Sequence, residues 1–171
     1  MNADPARFFG KYRGTVVNTR DPQRLARLVA VVPDVLGTLP TAWAMPAVPF
    51  AGPGAGFVVL PPVGAGVWIE FEQGDPDAPI LSGCWWGSGG ELPTIAGTAA
   101  AAGIGQVTIV TPGRHAIVIS DLPGPAGGIS LTTPGGARIS VTGAEVFLDN
   151  GKGASIALIG NQVHITGVIV P

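Results

Sequence analysis

The amino-acid sequence predicts an all-β protein made of two unlike β-units, and three observations carry that reading. Glycine and proline are abundant, 27 and 17 of 171 residues, while charged residues fall to 12%, about half the roughly 25% of an average soluble domain. Apolar runs are short and bounded by turn residues, which favours strands over helices. The last third alternates small polar with branched apolar residues, as in "TTPGGARISVTGAEVFLDN" at 132–150. A two-residue period is the pattern of a strand with one dry face and one wet face.

Taken in order, residues 1–9 form a short N-terminal extension. "MNADPARFFG" has no basic-then-apolar signal pattern, and no apolar run approaches the about 18–20 residues needed to span a bilayer. The expectation is a chain made in the cytoplasm and soluble there. Residues 10–87 hold strand-like runs at "YRGTVVN", "RLARLVAVV", "AGFVVL", "GVWIEFEQ" and "PILSGCWW". Between them lie "TRDPQ", "PDVLG", "PPVGAG" and "GDPDA", all turn chemistry. Five such strands fit a small closed barrel, of which the OB-fold is the best-known five-stranded case. Residues 88–106, "SGGELPTIAGTAAAAGIGQ", read as a Gly/Ala-rich linker. Its alanines favour helix, but Gly97 and Gly103 close in on both sides and leave no room for a stable one.

Residues 107–171 repeat. "TPGRHAIVISD" begins at Thr111 and "TPGGARISVTG" at Thr133, a spacing of 22 residues, so the expected form is an elongated stack. The pairs Ile117/Ile119, Ile139/Val141, Val146/Leu148, Ile156/Leu158 and Val163/Ile165 each recur at i, i+2. Burying one such side chain contributes about 1.5–3 kcal/mol, and no helix remains in the sequence to cover ten of them. Winding identical chains together, with these rows facing a shared axis, buries them. Three chains close a prism without free sheet edges, with interchain strands satisfying the backbone. The block is therefore expected to be an intertwined triple-stranded β-helix, a homotrimer whose core is those ten residues. A single-chain solenoid or small sandwich is the other way to fold it.

The formal net charge is −2, which gives no general attraction to nucleic acid or anionic lipid. Six cations, Arg7, Lys11, Arg13, Arg20, Arg24 and Arg27, fall within the first 27 residues. They read as a solvated strand pair and its turn, or else as a basic contact face. The mean hydropathy of +0.44 suits a chain that hides part of its surface in an oligomer. Cys84, the single cysteine, excludes an intrachain disulfide and is expected to be a small buried hydrophobe.

The stretches "GKYRGTVVNTRDPQRLARLVAVVPDV" and "AWAMPAVPFAGPGAGFVVLPPVGAGVWIEFEQGDPDAPILSGCWWG" carry a resemblance. They resemble the central spikes of contractile injection systems, the phage baseplate assembly protein V and VgrG-like family. The resemblance covers about residues 10–90 through specific motifs, and extends more loosely over the "TPG" and "GASI" repeats. It implies an OB-fold domain followed by a triple-stranded β-helix, trimeric at the tip of a tail tube, piercing the target envelope when the sheath contracts. With only nine residues ahead of the barrel, and no large insert after it, it implies the compact type. Hub and tube subunits are then separate chains, and no lysozyme domain is present. The apolar end "GVIVP", with Val168, Ile169, Val170 and Pro171, is expected to be capped by trimer closure or by docking a PAAR-type tip protein.

No residue set predicts catalysis or a cofactor. Glu70 and Glu72 lie at i, i+2 on one expected strand face, whereas a glycosidase pair faces across a cleft, roughly 5–9.5 Å apart. Asp75 and Asp77 suit an Asp-Pro turn better than calcium, which needs more oxygen ligands. His115 and His164 are the only histidines. Some members of the resembled family hold an ion near the tip with a His-x-His pair, but "QVHITG" has one histidine, and its inward-facing neighbours Val163 and Ile165 put His164 outside. No metal is expected. The competing functional reading is a free OB module that binds single-stranded nucleic acid or oligosaccharide, with Trp43, Trp68, Trp85 and Trp86 as stacking platforms. Against it, Glu70 and Glu72 sit where cations are wanted, and the repeat stays unexplained.

Overall fold

The computed structural model describes residues 6–167. The chain divides into two compact units, Met1–Gly89 and Gly90–Pro171. It is all-β in character, with an OB-like curled sheet first and an antiparallel sheet second.

The first unit runs β1 (Tyr12–Asn18), β2 (Val29–Val31), α1 (Pro33–Leu36), β3 (Met45–Pro46), β4 (Ala51–Gly52), β5 (Ala55–Gly56), β6 (Gly66–Phe71) and β7 (Pro79–Trp85). Five strands share one sheet in the order β2-β1-β6-β7-β3. Ala44 closes it: its N–H donates to the Leu28 carbonyl at 2.7 Å and its own carbonyl accepts from Leu28 N–H at 3.3 Å. One residue later, Met45 pairs with Ile80 of β7 in parallel. The chain from 44 to 46 thus bridges β7 to Leu28, just ahead of β2 at the other edge of the sheet. The alternate residues Val67, Ile69 and Phe71 of β6 point inward, as the burial along that strand alternates. They meet Val16, Leu28, Ala30, Val32 and Leu81 in one core.

One expectation for this unit needs correction. "AGFVVL" is not the fifth strand; Met45–Pro46 takes that place beside β7. Ala55–Gly56 instead pairs with Ala51–Gly52 in a separate two-stranded hairpin, and residues 57–60 are exposed. Pro61 and Pro62 follow immediately, and proline cannot donate to a ladder, so an unbroken apolar run here does not extend into a strand. At the other end, Phe8 docks on the barrel. Its N–H donates to the Gly74 carbonyl at 2.9 Å, and its ring lies 6.2 Å from Tyr12 and 6.3 Å from Phe71. Gly74 has φ +78°, and an added Cβ would lie 3.0 Å from Phe8 N. A side chain there would be strained twice over.

The loop between β1 and β2 is wrapped around one carboxylate. Asp21 accepts from the Arg27 guanidinium through Nη2 at 2.7 Å and Nε at 3.1 Å, and from the backbone N–H groups of Gln23, Leu25 and Arg27. The Arg27 guanidinium, with those backbone donors, holds the Asp21 carboxyl well below the usual carboxylate range, although desolvation pushes the other way. To make these bonds Arg24 and Ala26 adopt φ of 56° and 57°, a left-handed conformation that disfavours any residue with a Cβ. Ala26→Gly is expected to stabilise the unit by about 0.5–1 kcal/mol. A higher denaturant midpoint by tryptophan fluorescence checks this.

The second unit begins with α2 (Thr94–Ala102) inside the expected linker, a second correction to the sequence reading. Gly103 does not prevent this helix; it ends it, with φ 65° and its N–H on the Ala100 carbonyl, the usual left-handed cap. Ala99 is buried, and Gln106 Nε2 donates to the Ile95 carbonyl at 3.1 Å. Packing on the first strand of the sheet supplies what propensity alone lacks. Then come β8 (Gln106–Val110), β9 (Ala116–Ser120), β10 (Gly128–Thr132), β11 (Arg138–Val141), β12 (Glu145–Asp149), β13 (Ser155–Ile159) and β14 (Gln162–Thr166). They form one antiparallel meander in which every strand pairs with its neighbours in sequence. The Thr-Pro-Gly repeats close matching turns: Thr111 N–H donates to the His115 carbonyl and Thr133 N–H to the Ala137 carbonyl, both at 3.0 Å.

Candidate functional site

The meander gathers its aliphatic side chains on one face. Ladder registers place Val107, Ile119, Ile129, Val141, Val146, Leu158 and Val163 side by side across the seven strands. A second column holds Ile109, Ile117, Leu131, Ile139, Leu148, Ile156 and Ile165. Both columns contain only Val, Ile and Leu. Apart from the half-buried Val146, these residues are 42–63% exposed in the single chain. The second column floors a groove of about 840 Å³.

The opposite face is inverted in chemistry and in burial. Val118, Ser140 and Ala157 occupy its middle and are buried. Arg138 lies over the Phe147 ring at 4.8 Å. His164 stands opposite Ala157 on this side, where strand parity put it. A large contiguous apolar face of this kind marks an interaction surface in soluble proteins.

The structure brings all ten sequence-predicted residues onto this one face, and adds Val107, Ile109, Ile129 and Leu131. The signal for those four was present: they are related to one another by the same 22-residue shift, which spans a whole hairpin and not one strand. Within the chain each inner strand of this sheet pairs on both sides, while β8 and β14 are its edges. Val168, Ile169, Val170 and Pro171, expected to dock a tip protein, lie outside the described residues.

Other candidate groups resolve into local structure. Glu70 pairs with Lys11 at 3.0 Å, and the strand stops at Phe71, so Glu72 opens a 3-10 turn instead of sharing its face. Asp75 Oδ1 accepts from Asp77 N–H at 3.0 Å, which is the expected Asp-Pro turn. Four of the six early cations are held by the chain itself. Arg7 donates to the Gln73 carbonyl, Lys11 meets Glu70, and Arg27 grips Asp21. Arg13 lies over both Trp68 at 5.6 Å and Trp85 at 5.0 Å. Arg27 also lies over Trp43 at 5.7 Å. Three of the four tryptophans that a nucleic-acid or sugar ligand would stack on are thus engaged by the protein's own arginines. Cys84 is exposed, contrary to expectation, since it follows the irregular step in β6–β7 pairing near Trp68. Partial burial nevertheless pushes its thiol pKa up, which lowers its reactivity. Among the described residues no three His, Cys, Asp or Glu side chains come together as a metal site.

An OB-like barrel followed by an antiparallel meander with one wholly aliphatic face defines a class, the two-part all-β structural proteins. Comparison with known families gives the particular one. Residues 12–86 match the type VI secretion system/phage-baseplate injector OB domain, and residues 106–169 match the phage baseplate V C-terminal trimerisation domain. The chain belongs to this baseplate and VgrG-like spike family, whose members are structural proteins, and the match of its C-terminal part to a trimerisation domain supports a homotrimer. It is also 40% identical over 53 residues to the type VI secretion system spike protein VgrG4b of Pseudomonas aeruginosa. That match spans 31% of this chain and 7% of the relative's length.

Proposed function

We propose that the chain is the non-enzymatic piercing spike of a contractile injection system, standing at the tip of the tail tube. The two aliphatic columns carry this reading. Three copies of the face, turned to a common axis, make a dry shaft. Axial load is then spread over three chains and many short backbone bonds. Few charges on the outer face keep the shaft narrow. The barrels meet the hub and tube subunits, and the apolar residues 168–171 receive a PAAR-type tip protein. The chain is made in the cytoplasm and leaves it as part of the particle.

Gold labelling of a C-terminal tag on intact, uncontracted particles tests the placement. Label concentrated at the narrow end of the tube is expected. Label along the sheath, or at the opposite end, sinks the spike position while leaving the trimer intact.

A further inference from the structure

The first unit carries an apolar surface that the barrel core does not use. Every residue from 49 to 60 is exposed, and among them are Phe50, Phe57, Val58, Val59 and Leu60, with Val58 at 70%. No charged residue occurs anywhere from 35 to 69. The segment is nevertheless built. Ala51 and Gly52 pair with Gly56 and Ala55, Phe57 N–H donates to the Phe50 carbonyl at 3.2 Å, and Pro53 precedes Gly54 at φ +70°. Proline then glycine with that sign of φ is a type II turn. Pro49, Pro61 and Pro62 stiffen both approaches. Between the arms lies a cleft of about 390 Å³ lined by Val48, Phe50, Phe57 and Val58.

We infer that this hairpin, β4–β5 with the residues that follow it, seats on the first unit of a neighbouring copy in the same trimer. The inference rests on the trimeric reading of the second unit, and three considerations choose the occupant. Trimerisation holds the first units of three chains together at an effective concentration of order millimolar, so each hairpin meets its counterparts before any other protein. A threefold assembly uses head-to-tail contacts that close after three steps. One hairpin can therefore give its exposed Val59 and Leu60 to one neighbour and receive from the other in its cleft. Finally, partners that find each other by diffusion are selected and steered by charge. A long charge-free stretch has the composition of a permanent homo-oligomer core instead.

The test places a photo-crosslinking benzoyl-phenylalanine at Phe50, Phe57 or Val59 of the full chain, one at a time. Each purified protein is weighed by light scattering and then irradiated. The expected result is a particle of three times 17.2 kDa that gives chain-to-chain crosslinks, mapped by mass spectrometry into residues 6–89 of another copy. A trimer without crosslinks from any of the three positions overturns the hairpin seat and leaves the trimer standing. So does crosslinking only after other baseplate proteins are added, which would assign the surface to them. A monomeric mass overturns the trimeric reading itself.

Discussion

Ile139→Asp is expected to convert the trimer to a monomer without unfolding the sheet. Ile139 lies on β11, the fourth of seven strands, between Leu131 and Leu148. In the trimer the substitution sets three carboxylates near one axis. Each loses the about 1.5–3 kcal/mol of a buried isoleucine and adds several kcal/mol for desolvating a charge. The ladder of β11 is formed with β10 and β12 of its own chain, so strand content by circular dichroism should survive. Light scattering should fall to one third of the native mass. Thr132→Asp, on the opposite face of the neighbouring strand, is the control and should remain trimeric. A trimeric Ile139→Asp protein would mean that the aliphatic columns are not the interface.

The second large effect belongs to the barrel. Leu28→Ala should destabilise the first unit by about 3–5 kcal/mol, the range for emptying a fully packed leucine site. Leu28 is completely buried at the point where the sheet closes on Ala44. Its closing hydrogen bonds are made by the main chain, so the loss reads packing alone. All four tryptophans, Trp43, Trp68, Trp85 and Trp86, lie in the first unit, and fluorescence-detected denaturation therefore reports on it selectively. The expected outcome is a much lower midpoint with an unchanged trimer mass. A shift under about 1 kcal/mol would mean that the site collapses around the smaller side chain.

The second sheet was the more legible part of the sequence. Its alternation is strict, its turns are marked by Thr-Pro-Gly and Asn-Gly, and a two-residue period leaves only one choice of face. Val107, Ile109, Ile129 and Leu131 are less legible because each pair precedes a Thr-Pro-Gly turn, so a repeat marked by its turns does not show the strand ahead of them. The first unit was harder. β3 is two residues long and ends in proline, and nothing local distinguishes it from loop; its pairing with β7 is purely tertiary. Conversely "AGFVVL" has the composition of a strand but no free ladder to join. α2 was missed for the same reason in reverse, since burial of Ala99 and the Gly103 cap decide a helix that propensity leaves marginal. The tryptophans were legible as aromatic surface, but not as partners for Arg13 and Arg27, which approach from strand β1 and the end of the β1–β2 loop.

The strictly sequential meander of β8–β14 also orders events in time. Contacts between sequence neighbours close small loops, and such topologies form quickly. Each sheet can zip up strand by strand on its own chain before any second copy arrives. Docking of the aliphatic faces then becomes a separate, concentration-dependent step, slower in dilute protein and faster in concentrated protein. Between the two steps every chain carries two wet aliphatic columns, the species most exposed to aggregation. Synthesis of several copies close together would shorten its lifetime, and the rate of recovery of trimer after dilution from denaturant should rise with chain concentration.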